Sequence, residues 1–157
     1  MIDLFLKYSI VAGNENEVVN ERDFNLYKRN LIDEFDFVYV PYFELFKKVD
    51  INEKGIRASL LQADYGIAET GSIVLISSDE NINRASMLSD SITYILLENN
   101  IVDTLDSISK YIERETKKEK NYITIITGPS RTADIENQLI IGVHGPKEQR
   151  IIVVKKD

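Results

Sequence analysis

Cysteine is missing from these 157 residues, and histidine occurs once, as His144. Without a thiol the chain holds no disulfide, no thiolate nucleophile and no Cys-ligated iron–sulfur cluster. One imidazole likewise excludes a multi-histidine zinc or iron site. No stretch approaches the ~18 consecutive apolar residues of a membrane span. The opening Met1-Ile2-Asp3-Leu4-Phe5-Leu6-Lys7 lacks the basic start, long apolar centre and small-residue cleavage site of a signal peptide, so a soluble cytoplasmic protein is expected. Positive charge is also short. The 19 Lys+Arg against 26 Asp+Glu leave a net charge of −7, a field that repels phosphate backbones and makes nucleic acid an unsuitable partner. What is present is apolar material: 43% hydrophobic residues fill the core of one domain, and one domain of ~150 residues is all the length allows.

Short apolar runs alternate with helical-period segments once the ambiguous first dozen residues are past, and that alternation predicts an α/β fold. Glu17-Val18-Val19 reads as a strand, and Asn20 as the cap of a helix through Leu31. Asp36 to Val40 reads as a buried strand stopped by Pro41. Tyr42 to Val49 fits a short helix, and Lys54 to Ala63 a better one. Strands are expected at Gly71 to Ser77 and Ile92 to Leu97, and a long helix with a basic end at Val102 to Lys118. The chain then runs to strands at Tyr122 to Ile126, Leu139 to Val143 and Ile151 to Val154. Apolar runs without clean alternation imply a parallel or mixed sheet covered on both faces by helices.

Polar residues in glycine-bearing turns at strand ends mark where chemistry is expected, since open α/β sheets bind ligands beyond the strand carboxyl ends. The first such segment runs from Ala63 to Ser72. Its glycines let a ligand approach the backbone, and Glu69 is a candidate base, nucleophile or acceptor. Equally, Gly66 and Gly71 serve tight turns while Asp64 and Thr70 bond the local backbone. The second is Thr127-Gly128-Pro129-Ser130-Arg131-Thr132-Ala133-Asp134-Ile135-Glu136. There, backbone N–H groups with Ser130, Thr132 and the Arg131 fork form a receptor for a carboxylate or phosphate. The competing reading caps a helix with Ser130 or Thr132 and pairs Arg131 with Asp134 or Glu136. His144, flanked by small residues in Gly142-Val143-His144-Gly145-Pro146, is a candidate general acid or base, or a structural hydrogen-bonder. Tyr39, Tyr42, Phe43 and Phe46 read as core packing.

Taken together, the Ala63–Ser72 segment, the Thr127–Glu136 segment and Ile141-Gly142-Val143-His144-Gly145-Pro146-Lys147-Glu148 resemble, in order and spacing, the signature blocks of the LUD domain of the lactate utilisation protein C family. The resemblance is strongest over residues 58–154; the part before it is shortened relative to family members. It implies a three-layer α/β fold, a mostly parallel or mixed sheet flanked by helices, related to the sugar-phosphate isomerase and CoA-transferase superfamily. It implies a part in oxidising L-lactate to pyruvate beside iron–sulfur proteins, the clusters being expected only on those partners. It raises Glu69, Thr70, Gly71, Ser130, Arg131, Thr132, Asp134, His144 and Gly145 to pocket candidates, with Glu69 and His144 the catalytic ones and the rest holding a small carboxylate or phosphate. Family members often carry a Pro and a His where this chain has Ser89 and Ile92. The competing expectations are a stand-alone enzyme on a sugar phosphate or acyl-CoA, and a binding module for a small acid. Short, strand-ended α/β domains often pair, which makes a homodimer an option.

Overall fold

The computed structural model describes residues 1–118, 122–129 and 146–157. Its frame is a six-stranded sheet in the order β1-β10-β7-β4-β2-β3, where β1 is Glu15–Asn20, β2 Phe37–Val40, β3 Leu45–Lys47, β4 Ile56–Gln62, β7 Ser89–Leu97 and β10 Glu148–Lys155. All neighbours pair in parallel except β3, which folds back antiparallel on β2. In β7 and β10 consecutive residues are buried, as expected where both faces of a parallel sheet are covered. On one face Ile95, Ile152, Val154, Leu60 and Val38 pack under Phe24 and Leu31 of α2, Glu21–Leu31. On the other, Ile92, Tyr94, Leu96, Ile151 and Val153 pack under Phe5 of α1, Ile2–Val11, and under Ile82 and Ala85 of α3, Glu80–Leu88.

This second face carries an addition. A four-stranded sheet, β8-β5-β6-β9, is built from β5 Tyr65–Ile67, β6 Ser72–Ser77, β8 Ile101–Val102 and β9 Tyr122–Ile126. Ile73 and Leu75 of β6 join the core beneath α1. On the outer side, Ile67 and Val74 meet Ile108 of α4, Asp106–Lys118.

Two expected helices are strands. Lys54 to Ala63 contains β4, because Ala58, Ser59, Leu60 and Leu61 lie between β2 and β7 and are buried on both faces. It lacks β-branched side chains beyond Ile56, so propensity favoured a helix while tertiary pairing dictated a strand. Tyr42 to Val49 becomes a 3-10 turn at Pro41–Phe43, a left-handed Glu44 at φ 55°, and β3, with Tyr39 of β2 opposite Phe46. The expected strand at Leu139 to Val143 falls outside the described residues.

The polar Ser78–Asn81 stretch after β6 starts a helix that the apolar pattern did not signal. Asp79 caps α3, its Oδ1 accepting the backbone N–H groups of Asn81 at 2.8 Å and Ile82 at 3.2 Å. Asp79→Ala leaves those donors open and lowers stability by about 1 kcal/mol, seen as a lower urea midpoint at unchanged slope.

Candidate functional site

The turn between β5 and β6 is set by Gly71, at φ +67°, where a side chain would strike the backbone of Tyr8 and Ser9 in α1. That close approach presses the turn against the end of the first helix and presents Thr70 and Ser72. Thr70 Oγ1 donates to Ser72 Oγ at 2.8 Å, and Ser72 Oγ lies 2.8 Å from Thr127 Oγ1 at the end of β9. Asn14 reaches the same place from in front of β1: its Nδ2 donates to the Thr127 carbonyl at 2.8 Å and to Ser9 Oγ at 3.0 Å. Gly128 follows directly, with the carbonyl of Ala12 where a Cβ would be. Two of the three signature segments are thereby joined by one chain of hydroxyls.

Beside this chain lies unused hydrogen-bonding capacity. Asn14 Oδ1 and both polar atoms of Gln149 are buried without a partner among the described residues, and Gln149 is 2% exposed. Glu15 pairs with Arg150, so the preceding residues Asn14 and Gln149 are neighbours, and strand alternation puts them on the face of Asn16 and Ile151. The Tyr94 hydroxyl is also unpartnered, and burial raises its pKa. Buried polar groups are satisfied in the great majority of cases, so several orphans on one face mark a place with polar work left to do.

Elsewhere, a cavity of about 400 Å³ opens at the carboxyl ends of β2 and β4, lined by Tyr39, Gln62, Asp64, Leu75, Ser77 and Asp79 among others. Asp64 Oδ2 accepts the Ile76 N–H at 2.6 Å, and burial pushes its carboxyl up to about 6. At the opposite strand ends, a groove of about 480 Å³ that Gln149 also lines holds Arg57 and Arg150; Arg57 meets Asp36 at 3.5 Å and Arg150 meets Glu17 at 3.3 Å, the Arg150 Nε being buried without a partner among the described residues.

Of the residues singled out in the sequence, Thr70 and Gly71 sit in the hydroxyl-bearing turn, and Glu69 is exposed there, its N–H donating to the Asp103 carbonyl at 3.1 Å. Ser130, Arg131, Thr132, Asp134, His144 and Gly145 lie outside the described residues. The cluster follows the carboxyl ends of β5 and β9 in the small sheet, yet sits at the amino end of β1 in the large one. Sequence reasoning missed Asn14 and Gln149; the available signal was a lone amide at the start of each of two strands. It also took Asp64 for a turn residue, whereas its bond runs to Ile76 on the neighbouring strand. Ser89 and Ile92 are both core positions. Ser89 Oγ donates to the Ala85 carbonyl at 2.6 Å and meets Ser59 Oγ at 2.7 Å, while Ile92 is fully buried opposite Gln149. No described helix is long and apolar enough to cross a membrane.

Comparison with known proteins agrees with this layout. The model of the LUD domain matches residues 19–154. A lactate utilization protein C from Geobacillus sp. is 33% identical over 111 residues, 69% of this chain and 46% of that protein. The uncharacterized protein YkgG of Escherichia coli is 29% identical over 102 residues, 63% of this chain and 44% of its own. The chain therefore spans less than half the length of the curated relatives it matches. A DUF162 family protein from Deinococcus radiodurans superposes with a TM-score of 0.70 at 18% identity, covering 98% of this chain and 95% of that one, which establishes the shared fold.

Proposed function

We propose, since the chain belongs to the LUD domain family, that it serves L-lactate utilisation as the substrate-handling part of a system whose electron transfer is done elsewhere. One observation carries the reading: the Ser72–Thr127 hydroxyl contact ties two signature segments together beside the Asn14 Oδ1 and the Gln149 amide, which have no partner among the described residues. Amide donors and acceptors of this kind match a 2-hydroxy acid, which offers a hydroxyl donor and carboxylate acceptors. In this reading Arg131 and Ser130 hold the carboxylate, and Thr70, Gly71, Thr132, Asp134 and Gly145 are the other ligand-binding residues. Glu69 or His144 moves the proton. Removing a hydride or electrons requires a redox cofactor. A chain without cysteine leaves that to iron–sulfur partners.

The test is purification from the source organism under mild conditions, with iron and co-purifying chains quantified and L-lactate oxidation followed in the recovered material. Iron–sulfur proteins in fixed ratio are expected, together with activity that falls about tenfold in Ser72→Ala or Gln149→Leu, the scale of one lost hydrogen bond. An iron-free single chain, or variants as active as the parent, would overturn the reading.

A further inference from the structure

The cavity over β2 and β4 is separate from the hydroxyl cluster and no step above uses it. Its position is the one in which open parallel sheets take ligands, beyond the carboxyl ends of adjacent strands. Its charge is one-sided: Asp64 and Asp79 line it, and among the described residues no basic side chain does. Asp79 is occupied as the cap of α3. Asp64 has one oxygen on the Ile76 N–H, and Oδ1 has no partner among the described residues. The remaining wall sets the apolar and aromatic side chains of Leu61, Leu75, Ile82, Pro41 and Tyr39 beside the neutral polar ones of Gln62, Ser77 and Ser78. A carboxylate oxygen in a cavity that also holds an aromatic ring, aliphatic side chains and neutral hydrogen-bonding groups is a receptor for an alkylammonium group, whose N–H donors meet the acid and the neutral polar groups and whose short carbon chain meets the aliphatic side.

We propose that this cavity is a second ligand site, for a small primary amine bound as its ammonium form, with Asp64 as the counter-ion. A carboxylic acid is excluded from the same place by like charge, which separates this site from one for lactate. The other titratable groups lining the cavity, among the described residues, are Tyr39, from β2, and Asp79, ahead of α3. Ammonium binding requires Asp64 ionised, so affinity rises with pH until that carboxyl has lost its proton, and falls about tenfold for each pH unit below its midpoint.

The experiment is a titration of the isotopically labelled protein with propylammonium at pH 8, reading the backbone amides of Gln62, Asp64, Ile76 and Ser77, with propanol and propionate as controls. Saturable shifts with propylammonium alone are expected, weakened at least tenfold in Asp64→Asn and in the parent protein at pH 5. No saturable shift, equal binding by Asp64→Asn, or the same shifts with propionate would overturn the proposal. The parent titration at two pH values decides it even if the variant misfolds.

Discussion

Gly71→Ala lowers stability by about 4 kcal/mol or more, enough to leave much of the protein unfolded at physiological temperature. Two penalties add. Any side chain in the left-handed region at φ +67° costs about 1–2 kcal/mol. The new Cβ would also land on main-chain atoms of Tyr8 and Ser9 within α1, which a helix cannot displace without lifting Phe5 from the core beneath it. The comparison is Gly66→Ala. There the added carbon meets the ends of side chains, Leu96 Cδ2 at 2.7 Å and Phe5 Cε2 at 3.1 Å, and the φ is ordinary. Side chains yield where a backbone does not, so Gly66→Ala is the milder change. Thermal melts of both variants against the parent decide it, with about 2–4 °C expected per kcal/mol in a domain of this size. Equal melting temperatures would mean that α1 does not press on the turn.

Asp64→Asn has the opposite sign at neutral and alkaline pH. Burial raises the folded-state pKa of Asp64 from 3.8 to about 6, so the folded protein holds that proton more tightly than the unfolded chain does. The favourable contribution is complete below about pH 4 and disappears as pH rises through about 6, a loss of about 3 kcal/mol at most. The Asn side chain still accepts the Ile76 N–H and never ionises. The variant should equal the parent near pH 3.5 and exceed it by about 2–3 kcal/mol at pH 8. Urea midpoints across that range would show converging curves on the acid side; parallel curves would mean that Asp64 is not buried in solution. The same substitution abolishes the ammonium counter-ion, so greater stability with weaker amine binding is a paired outcome that simple misfolding cannot produce.

The strands β7 and β10 of the large sheet and β6 of the small one were legible because Val, Ile and other strand formers crowd them, so that local preference and final environment agree. Strand β4 was not legible. The Ile56-Arg57-Ala58-Ser59-Leu60-Leu61 run takes its strand form from β2 and β7, which lie elsewhere in the sequence. The cap at Asp79 is written in one residue rather than in a period, which explains why an apolar pattern passed over α3. Within the site, the turn at Gly71 was visible from glycine and hydroxyl content alone. Asn14 and Gln149 were not: an amide is ordinary on a surface and becomes informative only once the pairing of β1 with β10 places it in the interior.

That pairing has a kinetic consequence. Among the described residues, 15–20 join the large sheet only through β10, Val18 lying opposite Val153. Strand β1 therefore waits for β10 before it gains a neighbour in the large sheet, and the loop closed runs from residue 20 to residue 148. Such long-range parallel closure is slow. During synthesis, α2 and the β2–β3 hairpin can form early, while β1 stays an unpaired edge until Ile151 to Val154 arrive. Nascent chains halted before β10 should be the aggregation-prone species, because the large sheet can be completed only once β10 has been made.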